Sequence, residues 1–75
     1  MSEIKSPVPG RVLPISEAGD PVFAQELVGP GVAIEPDLVW GVVVAPVAGR
    51  LVRLQPHAFA LETAGGQGIL VHLGI

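Results

Sequence analysis

Cysteine and tyrosine are both missing from this 75-residue chain, and Phe23, Phe59 and Trp40 are its only aromatic side chains. Without cysteine there is no disulfide framework, no thiolate zinc site and no cysteine nucleophile. Positive charge is scarce too: Lys5, Arg11, Arg50 and Arg53 face seven acidic residues, for a net charge of -3. With no basic patch and so few rings for stacking, nucleic acid is a poor partner. No apolar run reaches the length of a membrane span, and "MSEIKSPVPG" has no signal-peptide core. The expected compartment is therefore the cytoplasm, without membrane insertion.

Apolar residues are abundant: 49% of the chain is hydrophobic and only 15% charged. A domain this small buries only about 60% of the surface its unfolded chain exposes. Part of that apolar surface is therefore expected to lie against a second copy or another protein.

Ten glycines and eight prolines cut the chain into short runs, "RVLPI", "LVWGVVVAPV", "RLVRL", "AFALET" and "ILVHLGI". Runs this short, rich in Val, Leu and Ile and punctuated this often, predict strands. "PVFAQELV" has room for one helical turn before Gly29, Pro30 and Gly31 end it. The expected fold is all-β, a sandwich or barrel of short antiparallel strands in one domain spanning 1–75. "SPVPGRVLPI" also matches "APVAGRLVRL" in Pro, Val, Gly and Arg. That is either shared turn chemistry or a pair of equivalent strands joined across a pseudo-symmetric barrel.

The last run holds one of only two histidines. Read as a two-residue hairpin turn, Gly65-Gly66 sets Ala64 opposite Gln67, Phe59 opposite His72 and His57 opposite Gly74. His57 and His72 then share a face as diagonal neighbours. Strand alternation sends Ile69, Val71, Leu73 and Ile75 to a core, and Gly68, Leu70, His72 and Gly74 to the other face. Glycines on both sides of His72 leave room for something to approach it.

Two adjacent imidazoles suit three chemistries. They can supply part of a metal site, though two ligands are too few for zinc alone. One of them can act as a general acid or base near neutral pH. Or one ring nitrogen can take up a phosphoryl group while the other ring hydrogen-bonds its oxygens. Against all three stands a structural reading, two partly buried histidines satisfied by backbone carbonyls. Serine catalysis lacks its parts, since Ser2, Ser6 and Ser16 cluster near the start, and no glycine-rich phosphate cradle is present.

"DPVFAQELVGPGVAIEP", "VVVAPVAGRL", "PHAFALET" and "GILVHLGI", in this order, resemble the glucose-family enzyme IIA domain of the bacterial sugar phosphotransferase system. The resemblance runs from about Ser6 to Ile75. It implies a phosphoryl relay in which His72 accepts the group from the phosphocarrier HPr and passes it to a cysteine of a IIB domain. His57 would stabilise the charged state by hydrogen bonding. The implied partner-binding rim is Asp20, Val22, Phe23, Leu70 and Gly74. No cofactor is required, but zinc on His57 and His72 is implied when a partner supplies further ligands.

The chain departs from the family pattern in three ways. Gln55 replaces a Thr two positions before the first histidine, and Arg53 stands where an aromatic rim residue is common. The family also continues well past "H-x-GI", so the sequence reads as the first half of such a domain. Self-association is expected to complete the sandwich, as a homodimer or higher symmetric assembly with Trp40 near the contact. The competing expectation is a non-catalytic enzyme IIA-like fragment that acts only as a protein-binding or structural homo-oligomer.

Overall fold

The computed structural model of the chain describes residues 3–37 and 41–74. These form two compact units, residues 3–7 with Val44–Gly74, and residues 8–37 with 41–43. Apart from one helical turn and one 3-10 turn, the regular structure is antiparallel β. Trp40, expected near a contact between copies, lies outside the described residues.

In the second unit, β1 (Gly10–Pro14) pairs with β2 (Val32–Pro36), with Gly10 opposite Pro36 and Pro14 opposite Val32. β2 is not among the hydrophobic runs expected to form strands. Only three apolar residues separate Gly31 from Glu35 and Pro36, too few to stand out as a hydrophobic run. Between the strands come a 3-10 turn, Ile15–Glu17, and one turn of helix, α1, Pro21–Ala24.

Local chemistry defines α1 at both ends. Asp20 caps it, its Oδ1 accepting from the Val22 N–H at 2.8 Å, and Pro21 fills the first helical position, where no donor is needed. At the other end Leu27 N–H donates to Val22 O and Glu26 N–H to Phe23 O, both at 3.0 Å, which satisfies two carbonyls of the turn. That closure needs a left-handed residue, and Glu26 supplies it at φ 57.

In the first unit, β3 (Arg50–Gln55), β4 (Ala58–Glu62) and β5 (Gly68–His72) form a sheet in sequence order. "RLVRLQ" does not alternate cleanly, and a β-bulge between Leu51 and Arg53 resolves the conflict. Leu51 pairs with Leu61 and Leu54 with Phe59, so both leucines reach the same face although they are three residues apart. That face also carries Ile69 and Val71, opposite Leu61 and Phe59. Only Leu61 of this set is buried, whereas Leu51 is 51% exposed and Leu54 71%.

The two "PVxGR" repeats do not pair with each other, contrary to the barrel reading: β1 has β2 as its partner and β3 has β4. What the repeats share is a local device. Each Arg forms an exposed ion pair of 3.1 Å with a glutamate on the partner strand, Arg11 with Glu35 and Arg50 with Glu62. Each preceding glycine lies against the same glutamate's carbonyl, where a Cβ would clash. The residues leading into the repeats do bond within the first unit, Lys5 N–H to Pro46 O at 2.7 Å and Val44 N–H to Pro7 O at 2.9 Å. Within "LVWGVVVAPV", the described part from Gly41 onward forms no strand, which corrects that expectation; Pro46 lacks the donor a ladder needs.

The strain at Glu26 gives a test. Glu26→Gly should raise stability by about 0.5–1 kcal/mol, the left-handed penalty less the added freedom of the unfolded chain. Thermal and urea unfolding midpoints would show it, and an unchanged or lower midpoint would mean that the left-handed turn carries no strain.

Candidate functional site

Ala58 stands opposite His72, Phe59 opposite Val71 and Glu62 opposite Gly68. This corrects the register expected from a two-residue Gly65-Gly66 turn by one position. The loop has three residues, Ala64, Gly65 and Gly66, closed by Thr63 N–H donating to Gln67 O and Gly66 N–H donating to Thr63 O, both 2.9 Å. The Thr63 hydroxyl oxygen also accepts from Gln67 N–H at 3.1 Å, and Gly66 takes the left-handed position at φ 85. A short turn followed by one left-handed residue is the usual build of a three-residue hairpin loop.

On a regular ribbon this register would send His57 and His72 to opposite faces. They meet all the same, with ring centroids 5.1 Å apart and planes at 69°, edge to face. The reason lies in where His57 sits. β4 begins at Ala58, and Pro56-His57 is the turn that joins it to β3, so strand alternation does not govern the imidazole. The backbone there is still held, because Leu73 N–H donates to His57 O at 2.7 Å.

Cross-strand pairing assembles the surroundings in rows. Gln55, Ala58 and His72 form one row across the three strands, and Arg53, Ala60 and Leu70 form the next. All six point to one face. Ala58 is buried and Ala60 half-buried, Leu70 is 45% exposed, and Arg53 and Gln55 are exposed. Sequence reasoning singled out Arg53 and Gln55 but not the two alanines, which only the register reveals as the floor between the outer strands.

His72 is half-buried and its Nδ1 is buried, while His57 is exposed. Burial of Nδ1 makes it the less accessible choice for an incoming group. Among the described residues no third His, Asp or Glu joins the pair to make a metal cluster.

The other sequence-expected rim residues are placed as follows. Gly74 lies just past β5, where a Cβ would meet nothing within 4 Å. Asp20, Val22 and Phe23 come together on α1 in the other unit: Asp20 caps the helix, Val22 is 46% exposed and Phe23 half-buried.

Residues 2–75 match the family described as phosphoenolpyruvate-dependent sugar phosphotransferase system, EIIA 1. The chain belongs to that family. It is 43% identical over 74 residues to the glucose-specific EIIA component of Halalkalibacterium halodurans, covering 96% of this chain and 42% of that protein. It is 42% identical over 77 residues to the N-acetylglucosamine-specific EIICBA component of Escherichia coli, covering all of this chain and 12% of that one. In structure it resembles glucose permease IIA from Mycoplasma capricolum, with a TM-score of 0.90, 36% identity, and coverage of 99% of this chain and 48% of the other. The fold is thus the all-β enzyme IIA fold. The chain spans about half the length of the separate EIIA proteins it matches.

Because the hairpin loop sets which residue stands beside His72, Gly66 is the position to probe. Gly66→Ala places a Cβ at φ 85 and should cost about 1–2 kcal/mol. Unfolding midpoints would show the loss, and histidine ring NMR signals would show a disturbed pair; a silent substitution would mean the loop does not hold the register.

Proposed function

We propose that this chain is a histidine phosphocarrier of the sugar phosphotransferase system, charged on His72. The observation that carries the proposal is the imidazole pair at 5.1 Å; because Nδ1 is buried, we assign the nucleophile's role to Nε2. The Nε2 lone pair attacks the phosphorus of a phosphohistidine on HPr. The new N–P bond forms as the donor N–P bond breaks, and that electron pair returns to the donor imidazole. Onward transfer reverses the roles: a IIB thiolate attacks phosphorus, an S–P bond forms, and the leaving pair returns to Nε2 of His72. A His57 ring N–H donates a hydrogen bond to the phosphoryl oxygens meanwhile.

Family membership across residues 2–75 supports this reading, under which we take 1–75 as one enzyme IIA-like half-domain. A IIB partner fits a family in which the Escherichia coli relative is named as one EIICBA component. Leu70 and Gly74, in the unit that carries the histidines, would contact a docking partner, and Asp20, Val22 and Phe23 on α1 would be partner contacts of the other unit. Among the described residues no helix is long and apolar enough to cross a membrane, and we take the cytoplasm as the compartment.

The relay needs no cofactor. His57 and His72, their ring centroids 5.1 Å apart, would supply two imidazole ligands to a zinc ion, and a partner protein would add the remaining donors. The ion's role there would be to hold a partner on the site.

Incubation with phosphoenolpyruvate, enzyme I and HPr should add one acid-labile phosphoryl group to the intact mass. His72→Ala should abolish the label. His57→Ala should still be charged but lose the group about tenfold faster, the worth of one charge-assisted hydrogen bond. Absence of label on the folded wild-type chain would overturn the carrier reading.

A second reading, a non-catalytic homo-oligomer or docking module, is favoured by the exposed Leu51 and Leu54 on the apolar face of the β3–β5 sheet. Packing that face against a second copy would bury it. Sedimentation should then show a dimer or larger symmetric assembly that Leu54→Glu dissociates. A wild-type chain that stays monomeric at high concentration would end the self-association proposal.

A further inference from the structure

We infer that Arg53 binds the phosphoryl group that His72 carries, an inference that rests on the carrier reading above. The bulge is the first argument. If β3 ran regularly from Leu51 opposite Leu61, Val52 would face Ala60 and Arg53 would face Phe59, on the apolar side of the sheet. The extra residue at Val52 instead sets Arg53 opposite Ala60, in the row next to His72 and on His72's face. A bulge that re-aims one side chain beside a working site is a recurrent use of this irregularity.

Reach is the second argument. Arg53 and His72 are two strand spacings and two residues apart, about 12 Å between α-carbons. Only the methyl groups of Ala58 and Ala60 rise from the strand between them. An extended arginine spans about 7 Å from its α-carbon, and the imidazole with its phosphoryl group spans most of the remainder. A larger residue at either alanine would block the approach.

Charge is the third. On this face Arg50 is already committed to Glu62 at 3.1 Å. Arg53 makes no ion pair among the described residues and is exposed. The chain carries a net charge of -3 before it receives a group bringing nearly two further negative charges. A guanidinium matches that group with paired N–H donors, and Gln55, in the same row as His72, offers an amide N–H beside it.

The test charges the protein chemically with phosphoramidate, so that no partner is needed, and follows loss of the phosphohistidine signal by phosphorus NMR. The wild type is compared with Arg53→Gln and Arg53→Lys, with circular dichroism confirming equal folding. Arg53→Gln should lose the group about five- to tenfold faster, Arg53→Lys should recover much of the lifetime, and added salt should shorten the wild-type lifetime far more than that of Arg53→Gln. Equal lifetimes and equal salt responses in a chain charged on His72 would overturn the inference and leave the carrier reading standing. If neither phosphoramidate nor HPr charges the wild type, the carrier reading fails. Titration with inorganic phosphate, read on the His72 ring signals, then decides the inference: weaker binding in Arg53→Gln supports it, and identical binding overturns it.

Discussion

Everything at the candidate site depends on which residues of β4 and β5 stand opposite each other. Period-two alternation makes register all or nothing, because a slip of one residue exchanges the two faces of a strand. The three-residue loop Ala64-Gly65-Gly66, with Gly66 left-handed, sets Ala58 beside His72 and Ala60 beside Leu70. The same choice sends Phe59, Leu61, Ile69 and Val71 to the opposite, apolar face. One backbone decision at the hairpin tip thus separates the face that could do chemistry from the face that supports it.

The third strand follows from that division. "RLVRLQ" has leucines three apart, a spacing that a flat strand cannot bring to one face. The bulge at Val52 reconciles them, with Leu51 opposite Leu61 and Leu54 opposite Phe59. Arg53 and Gln55 are thereby turned to the histidine face. Apolar patterning and the electrostatics of the site are not independent features of β3, since one irregularity produces both. It leaves Leu51 and Leu54 wide open to solvent.

Much of this was legible in the sequence. Pro and Gly punctuation marks β1, β3, β4 and β5, and Asp-Pro followed by Val-Phe-Ala marks α1 through a cap and a proline, both of which act locally. The family was legible in its motifs. β2 was not, because three apolar residues between glycine and glutamate carry too little periodicity. Nor was the length of the hairpin loop: Gly65-Gly66 satisfies a two-residue turn as well as a three-residue loop, and the choice rests on Thr63, whose backbone and hydroxyl close the longer one. The bulge is likewise invisible until β3 must match β4.

The histidine pair shows how a contact can be anticipated on a wrong register. The expected pairing, His57 opposite Gly74, would have made the rings diagonal neighbours on one face. The observed pairing by itself would have parted them. What restores the contact is that His57 belongs to a turn, where Pro56 fixes the first corner and the imidazole escapes strand alternation. Its carbonyl is still tied to Leu73 N–H, so the turn is anchored to β5, the strand that carries His72. Two short-range constraints, one at each end of β4, therefore set the 5.1 Å between the rings. A change in either the Thr63–Gln67 loop or the Pro56-His57 turn would move one ring relative to the other while leaving the strands themselves intact.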